Sequence, residues 1–303
     1  LKETAINNKL NSTKTGALIL TAPKKDLSNK QIDLIDQYLI NGGDLLLIFP
    51  PSDETINQLK NLNNYIKKWG IERKKGIVVD KKRSFLFEPY SIIAEVNPHQ
   101  AVSKLYKNKT SVLVKKASSL KINKITKTVK RLDIKPLLKS SPYSWREISH
   151  ISSTENSVQK DHKEIEGPLK LAVGITSSNP ILNSKNKYHE IDLYNIYRDN
   201  RSSLTKKENS SLIKDQTKII VLGSSSIINN KLISQQGNRA FIINCIKWLT
   251  NTGKLNIKPK VIGYNKINLN TIQEQILYFI SVLLIPLIFF LTALITGTLK
   301  ISN

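Results

Sequence analysis

The chain has 303 residues, 40% of them hydrophobic, with a formal net charge of +24 at neutral pH; this is material for one large or two ordinary domains with a real core. Its single cysteine, Cys245, excludes an internal disulfide framework, a zinc knuckle and a CxxC redox pair. The cationic excess points to anionic lipid or an acidic partner, or simply to a surface written in A/T-rich codons; Lys far outnumbers Arg, the residue that specific phosphate and base contacts prefer, so no specific nucleic-acid partner is read from it.

The chain begins at Leu1 and contains no Met, and is read as a fragment or processed product. Ala17 to Leu20 is a short apolar run expected as a buried strand. Ser28, with Gln31 three residues on, has the form of a capping box, and Ile32, Ile35 and Leu39 then recur at helical spacing. Gly42-Gly43 ends that helix, since glycine tolerates the left-handed position after a C-terminus. Leu45 to Phe49 is a second apolar run, closed by Pro50-Pro51. Strand, helix and strand in this order predict a βαβ unit, with both strands parallel and covered on both faces. Asn57 to Trp69 is expected as a helix ended by Gly70, and Gly76 to Asp80 as a strand. Beyond Asp80 the pattern weakens, with Ser91 to Ala94 and Ser111 to Val114 as strand candidates.

Residues 115–166 are the least regular part. Over residues 60–139, 21 Lys or Arg stand against 5 Asp or Glu. The repeat of Lys121, Lys124, Lys127 and Lys130 beside Ile122, Ile125 and Val129 suits a solvated edge strand or a basic amphipathic surface. Order returns at Leu169 to Ile175 and at Lys218 to Gly223, both expected as strands. Asn238 to Leu249 is expected as an amphipathic helix with Phe241, Cys245, Trp248 and Leu249 on one face. From Ile276 to Leu299 no side chain is charged, and the run exceeds the roughly 20 residues a helix needs to cross a bilayer. The expected organisation is therefore an α/β domain whose first part is 1–114, a basic and polar insertion or linker at 115–166, the return part of the domain at 167–250, a juxtamembrane connector at 251–275 and a transmembrane helix at 276–299. Within the last, Pro286 removes a helical hydrogen bond, and Ala293 with Gly297 forms a small-xxx-small face; these three residues are the candidate helix–helix contact.

Catalytic signatures are weak. His99, His150, His162 and His189 show no i, i+4 pair and no HExxH, so no metal site is expected. His189, Glu190 and Asp192 sit in a polar stretch read as solvated. Gly223-Ser224-Ser225-Ser226 follows a strand, but it is neither a P-loop nor a GxSxG elbow, because Ile227 stands where the second glycine belongs. No catalytic residue and no cofactor is assigned.

Three stretches together, ALILTAP with LSNKQIDLIDQYLINGGDLLLIF, KIIVLGSSSIINN, and NRAFIINCIKWLT leading toward the apolar end, resemble the GldG-like family of gliding-motility auxiliary components of ABC-type transport systems. Gly42-Gly43 matches the family's glycine pair, and Asn238, Phe241, Asn244, Trp248 and Leu249 match its late helix. The resemblance implies a mostly parallel sheet flanked by helices, similar to class I glutamine amidotransferases and to an intraflagellar-transport-related domain. True amidotransferases need a nucleophilic Cys on a strand-to-helix elbow. The corresponding Phe49-Pro50-Pro51-Ser52 has none, so the resemblance implies a fold used for binding. Permease and ATPase subunits are the implied partners, membrane lipid surrounds the anchor, and the soluble domain is expected outside the cytoplasm. The alternative is a module that binds an anionic surface, lipid or polyanion.

Overall fold

The first apolar run, in the computed structural model, forms β1 (Leu18–Thr21), and the capped segment forms α1 (Asn29–Ile40). The Gln31 amide donates to Ser28 Oγ at 3.3 Å and the Ser28 amide to Gln31 Oε1 at 3.0 Å, the reciprocal pair that the sequence predicts. Gly42 takes φ +80°, and a Cβ on Gly43 would fall 2.4 Å from the Tyr38 ring, so the turn needs glycine at both positions for different reasons. The chain then enters β2 (Leu45–Ile48), parallel to β1 with Leu18 opposite Leu45. The structure describes residues 16–50, 55–123, 132–148, 158–162, 164–177, 216–252, 278–284 and 286–292.

The remaining elements are α2 (Thr55–Gln58), α3 (Lys60–Lys68), β3 (Ile71–Arg73), β4 (Ile77–Val79), β5 (Ser84–Phe85), β6 (Glu88–Val96), α4 (Ser103–Lys107), β7 (Val112–Lys115), β8 (Leu120–Ile122), β9 (Leu132–Lys139), β10 (Trp145–Glu147), β11 (Lys170–Ser177), β12 (Thr217–Leu222) and α5 (Asn238–Thr250). The main sheet runs β1-β2-β12-β11-β9-β6-β5, with β7 also paired to β6. Here the expectation of a mostly parallel sheet is corrected. Among the described residues only β1, β2 and β12 run parallel, and β12-β11, β11-β9, β9-β6, β6-β5 and β6-β7 are antiparallel. The error has a physical source. A continuous apolar strand signals burial on both faces, and β11 is buried on both faces while running antiparallel.

The stretch read as an insertion or linker supplies β8, β9 and β10. β9 lies inside the main sheet between β11 and β6, while β8 pairs with β3 and β10 with β4. Residues 124–131, which hold most of the basic repeat, lie outside the described residues.

Alternation along the central strands divides the core in two. Leu46, Ile48, Ile220 and Leu222 face Phe241, Cys245 and Leu249 of α5. Leu45, Leu47, Ile219 and Val221 face Ile35 and Leu39 of α1 and Leu62, Ile66 and Trp69 beyond. Each of the Leu, Ile, Val and Phe side chains among them contributes about 1.5–3 kcal/mol through removal from water. The predicted face of α5 thus packs as expected, with Trp248 left half-buried at its rim.

Leu1–Pro259 and Lys260–Asn303 are separate units. In the second, the expected transmembrane helix is not seen as one helix. Ile280–Leu284 form a π-helical turn, and residues 286–292 resume α-helix from Pro286. Pro286 lacks an amide hydrogen and its ring crowds the preceding turn, which the wider π geometry relieves. Among the described residues no helix is long and apolar enough to cross a membrane. Ala293 and Gly297 lie outside the described residues.

Candidate functional site

Two ends of the sheet offer sites. In α/β folds ligands gather at the carboxyl ends of parallel strands, which here are the ends of β2 and β12. Arg73, at the end of β3, is buried there. Its guanidinium lies 4.8 Å over the Phe49 ring and donates to the Pro50 carbonyl at 3.3 Å and to Ser118 Oγ at 3.1 Å. The Ser118 amide donates to the Gly223 carbonyl at 3.0 Å, and a Cβ on Gly223 would meet the Ser118 carbonyl oxygen at 2.1 Å. Two of the three serines after β12, Ser224 and Ser226, are engaged as well. Ser224 Oγ donates to the Lys115 carbonyl at 2.7 Å, and Ser226 Oγ accepts the Lys115 amide at 2.8 Å. These hydroxyls tie the end of β7 to the end of β12, so the arrangement is a structural clasp. Of the elbow positions, Phe49 and Pro50 are buried and Pro51 and Ser52 lie outside the described residues.

Cys245 sits on the core-facing side of α5, fully buried, and that burial pushes its thiol well above the ordinary range. It is a small apolar side chain in a packed core. His162 is exposed, and His150 and His189 lie outside the described residues.

The other end of the sheet holds a cleft of about 630 Å³. Its floor is Thr176 of β11 with Asp133 and Lys135 of β9, and its walls are the β6–α4 connection around His99 and the rim of α5 at Trp248. Gly174, opposite Lys135 in the sheet, lets the imidazole approach the strand closely. A Cβ there would sit 3.2 Å from His99 Cε1 and Nε2. His99 Nδ1 accepts the Ala101 amide at 3.0 Å, so the neutral ring carries its proton on Nε2. The ring meets Trp248 edge-on, centroids 5.0 Å apart at 75°. Burial lowers the His99 pKa, the Lys135 ammonium lowers it further, and Asp133 opposes both. Lys218 lies 5.1 Å over the Trp248 ring and donates to the Trp248 carbonyl at 3.0 Å, which holds that wall in place. The cleft therefore presents an aromatic wall, a neutral imidazole and the 2.7 Å Asp133–Lys135 pair, a set suited to recognition of a polar partner with a flat face.

Sequence reasoning tested His99 only for metal spacing and missed its place beside Trp248, since no periodicity links residues that far apart. It also missed a buried carboxyl pair. Glu164, whose pKa burial and the neighbouring Glu147 raise, accepts the Ile148 amide at 3.1 Å and the Asp161 amide at 2.9 Å, while Glu147 accepts Trp145 Nε1 at 3.2 Å. No group of side chains suited to a metal ion occurs among the described residues.

Comparison with solved structures finds the mmIFT52 N-terminal domain, at a TM-score of 0.50 and 13% identity, covering 82% of this chain and 84% of that one. At that identity the likeness is one of fold alone. Comparison with curated proteins finds no match. The family model described as ABC-type uncharacterized transport system matches residues 2–245, which takes in both ends of the sheet and most of α5. On that match the chain belongs to this family, whose members are auxiliary components of ABC-type transport systems.

Proposed function

We propose that the protein is a non-catalytic accessory subunit of an ABC-type transport or export system, of the GldG-like kind, anchored in the membrane by the apolar run Ile276–Leu299. The α/β domain stands outside the cytoplasm and binds or scaffolds, and the system's permease and ATPase subunits are its partners. The observation that carries this reading is the family match across residues 2–245. The burial of Cys245 and the use of Ser224 and Ser226 as a clasp support a binding rather than a catalytic role. In the anchor, Pro286 with the Ala293/Gly297 face is the proposed contact with a permease helix, small residues allowing close approach.

Purification from native membranes in mild detergent tests the reading. Co-elution with an ATPase and a multi-span permease is expected. Elution of the chain alone, or with soluble proteins only, overturns it.

A further inference from the structure

The β5–β6 hairpin closes on Leu86 and Phe87. Phe85 is paired with Glu88, so the loop is two residues long. Both loop residues are left-handed, with φ of +54° and +58°. Two-residue loops of this hand favour Asn-Gly or Asp-Gly, because a Cβ there crowds the backbone. Leu and Phe occupy them instead, and their side chains are 78% and 94% exposed. Two large apolar groups thus stand in an unfavourable backbone conformation and face water. Such a break in local rules points outward, to a contact made with something else.

The chemistry around the tip says what that contact is. Lys81, Lys82 and Arg83 lead into the hairpin, and Lys115 and Lys116 lie at the end of β7, the strand beside β6. Glu88 and Glu95, the carboxylates of β6, are paired with Lys115 and Arg83 and leave the neighbourhood net positive. Lys82 Nζ sits 3.6 Å over the ring of Tyr143, itself 64% exposed. An apolar knob of two side chains in a collar of ammonium groups with an exposed tyrosine suits an interface that is apolar in depth and anionic at its surface.

We infer that the β5–β6 hairpin is a membrane-contact loop, in which Leu86 and Phe87 enter the interfacial layer of an anionic bilayer while Lys81, Lys82 and their neighbours hold lipid phosphates. Its residues are other than those of the C-terminal apolar run.

The test uses the full chain carrying Phe87→Cys. Cys245 is fully buried, so a thiol-reactive, environment-sensitive fluorophore reacts at position 87. The labelled chain is reconstituted into vesicles of phosphatidylcholine alone or of phosphatidylcholine with phosphatidylglycerol. A blue shift of the probe and loss of quenching by aqueous iodide are expected in the anionic vesicles, with neither in the neutral ones and both reduced by Lys81→Gln/Lys82→Gln or by high salt. A probe that stays in water in both vesicles overturns the inference, as does equal entry into both, or a probe already shielded in detergent, which marks a protein contact. Flotation with neutral vesicles reports on the C-terminal run separately, so the two membrane attachments fail or succeed independently.

Discussion

Asn238 pairs with Leu113 as a neighbouring strand would. The Leu113 amide donates to Asn238 Oδ1 at 2.8 Å, and Asn238 Nδ2 donates back to the Leu113 carbonyl at 2.9 Å. The remaining Nδ2 hydrogen reaches the Leu232 carbonyl at 2.9 Å. One fully buried side chain at the start of α5 thus completes the inner edge of β7.

Asn238→Ala leaves the Leu113 amide and carbonyl buried without these partners, and is expected to destabilise the domain by about 2–4 kcal/mol. Asn238→Asp keeps the acceptor but turns a carboxylate toward two carbonyls, and is expected to be no better tolerated. Urea midpoints followed by tryptophan fluorescence in mild detergent measure both; a loss below about 0.5 kcal/mol for the alanine variant contradicts this role.

Cys245 is expected to resist aqueous thiol reagents in the folded protein and to react once the domain unfolds. Its folded pKa is raised by burial, so the folded state holds the proton that the unfolded thiol releases. Its contribution to stability is complete below the unfolded value of about 9 and declines as pH rises above it. Rapid labelling in native buffer at pH 8 would show that α5 opens its core face.

His99 titrates with the opposite slope. Burial and Lys135 lower its folded pKa below 6.5, so below that pH the unfolded state takes up a proton that the folded state refuses. Its contribution is complete above 6.5 and is lost progressively as pH falls through the interval down to the folded value. His99→Asn places Oδ1 where Nδ1 accepts the Ala101 amide and removes the titration. Asp36 and Glu164, whose pKa values are raised, contribute equally to both proteins and cancel in the comparison. The Tm difference between pH 7.5 and 5.5 is expected to be smaller in the variant, and an unchanged difference places the acid sensitivity elsewhere.

Replacing the exposed hairpin tip with the residues its backbone favours separates stability from attachment. Leu86→Asn/Phe87→Gly relieves two left-handed side chains and is expected to stabilise the domain by about 1–2 kcal/mol. The same variant is expected to lose the response of the domain to anionic vesicles. A drop in Tm would mean that the two side chains pack in the folded state in a way their exposure denies.

The β1-α1-β2 unit and α5 were legible in the sequence because each carries a full local signature: a capping box, a glycine pair and apolar runs in the first, and Phe241, Cys245 and Leu249 at helical spacing in the second. Strand direction was not, since Val173 and Ile219 bury their faces equally well whichever way their neighbours run. The pattern also faded after Asp80, and Leu86-Phe87 shows why. A hairpin is read from its turn residues, and here Leu and Phe stand where Asn and Gly are expected. The His99–Trp248 cleft had no local signature at all, being assembled from a strand end, a loop and a helix rim.

The placement of β12 has a consequence for how this chain is made. Leu45 and Ile219 lie side by side in register, so β2 waits for β12 through the synthesis of nearly the whole domain. Until then β2 and β11 each present a bare apolar edge, the surface on which nascent chains stick to one another. Contacts this distant along the chain also form slowly. A chain cut short before Thr217 therefore lacks the strand that joins the two parts of its main sheet, the parallel β1–β2 pair and the antiparallel strands from β11 onward.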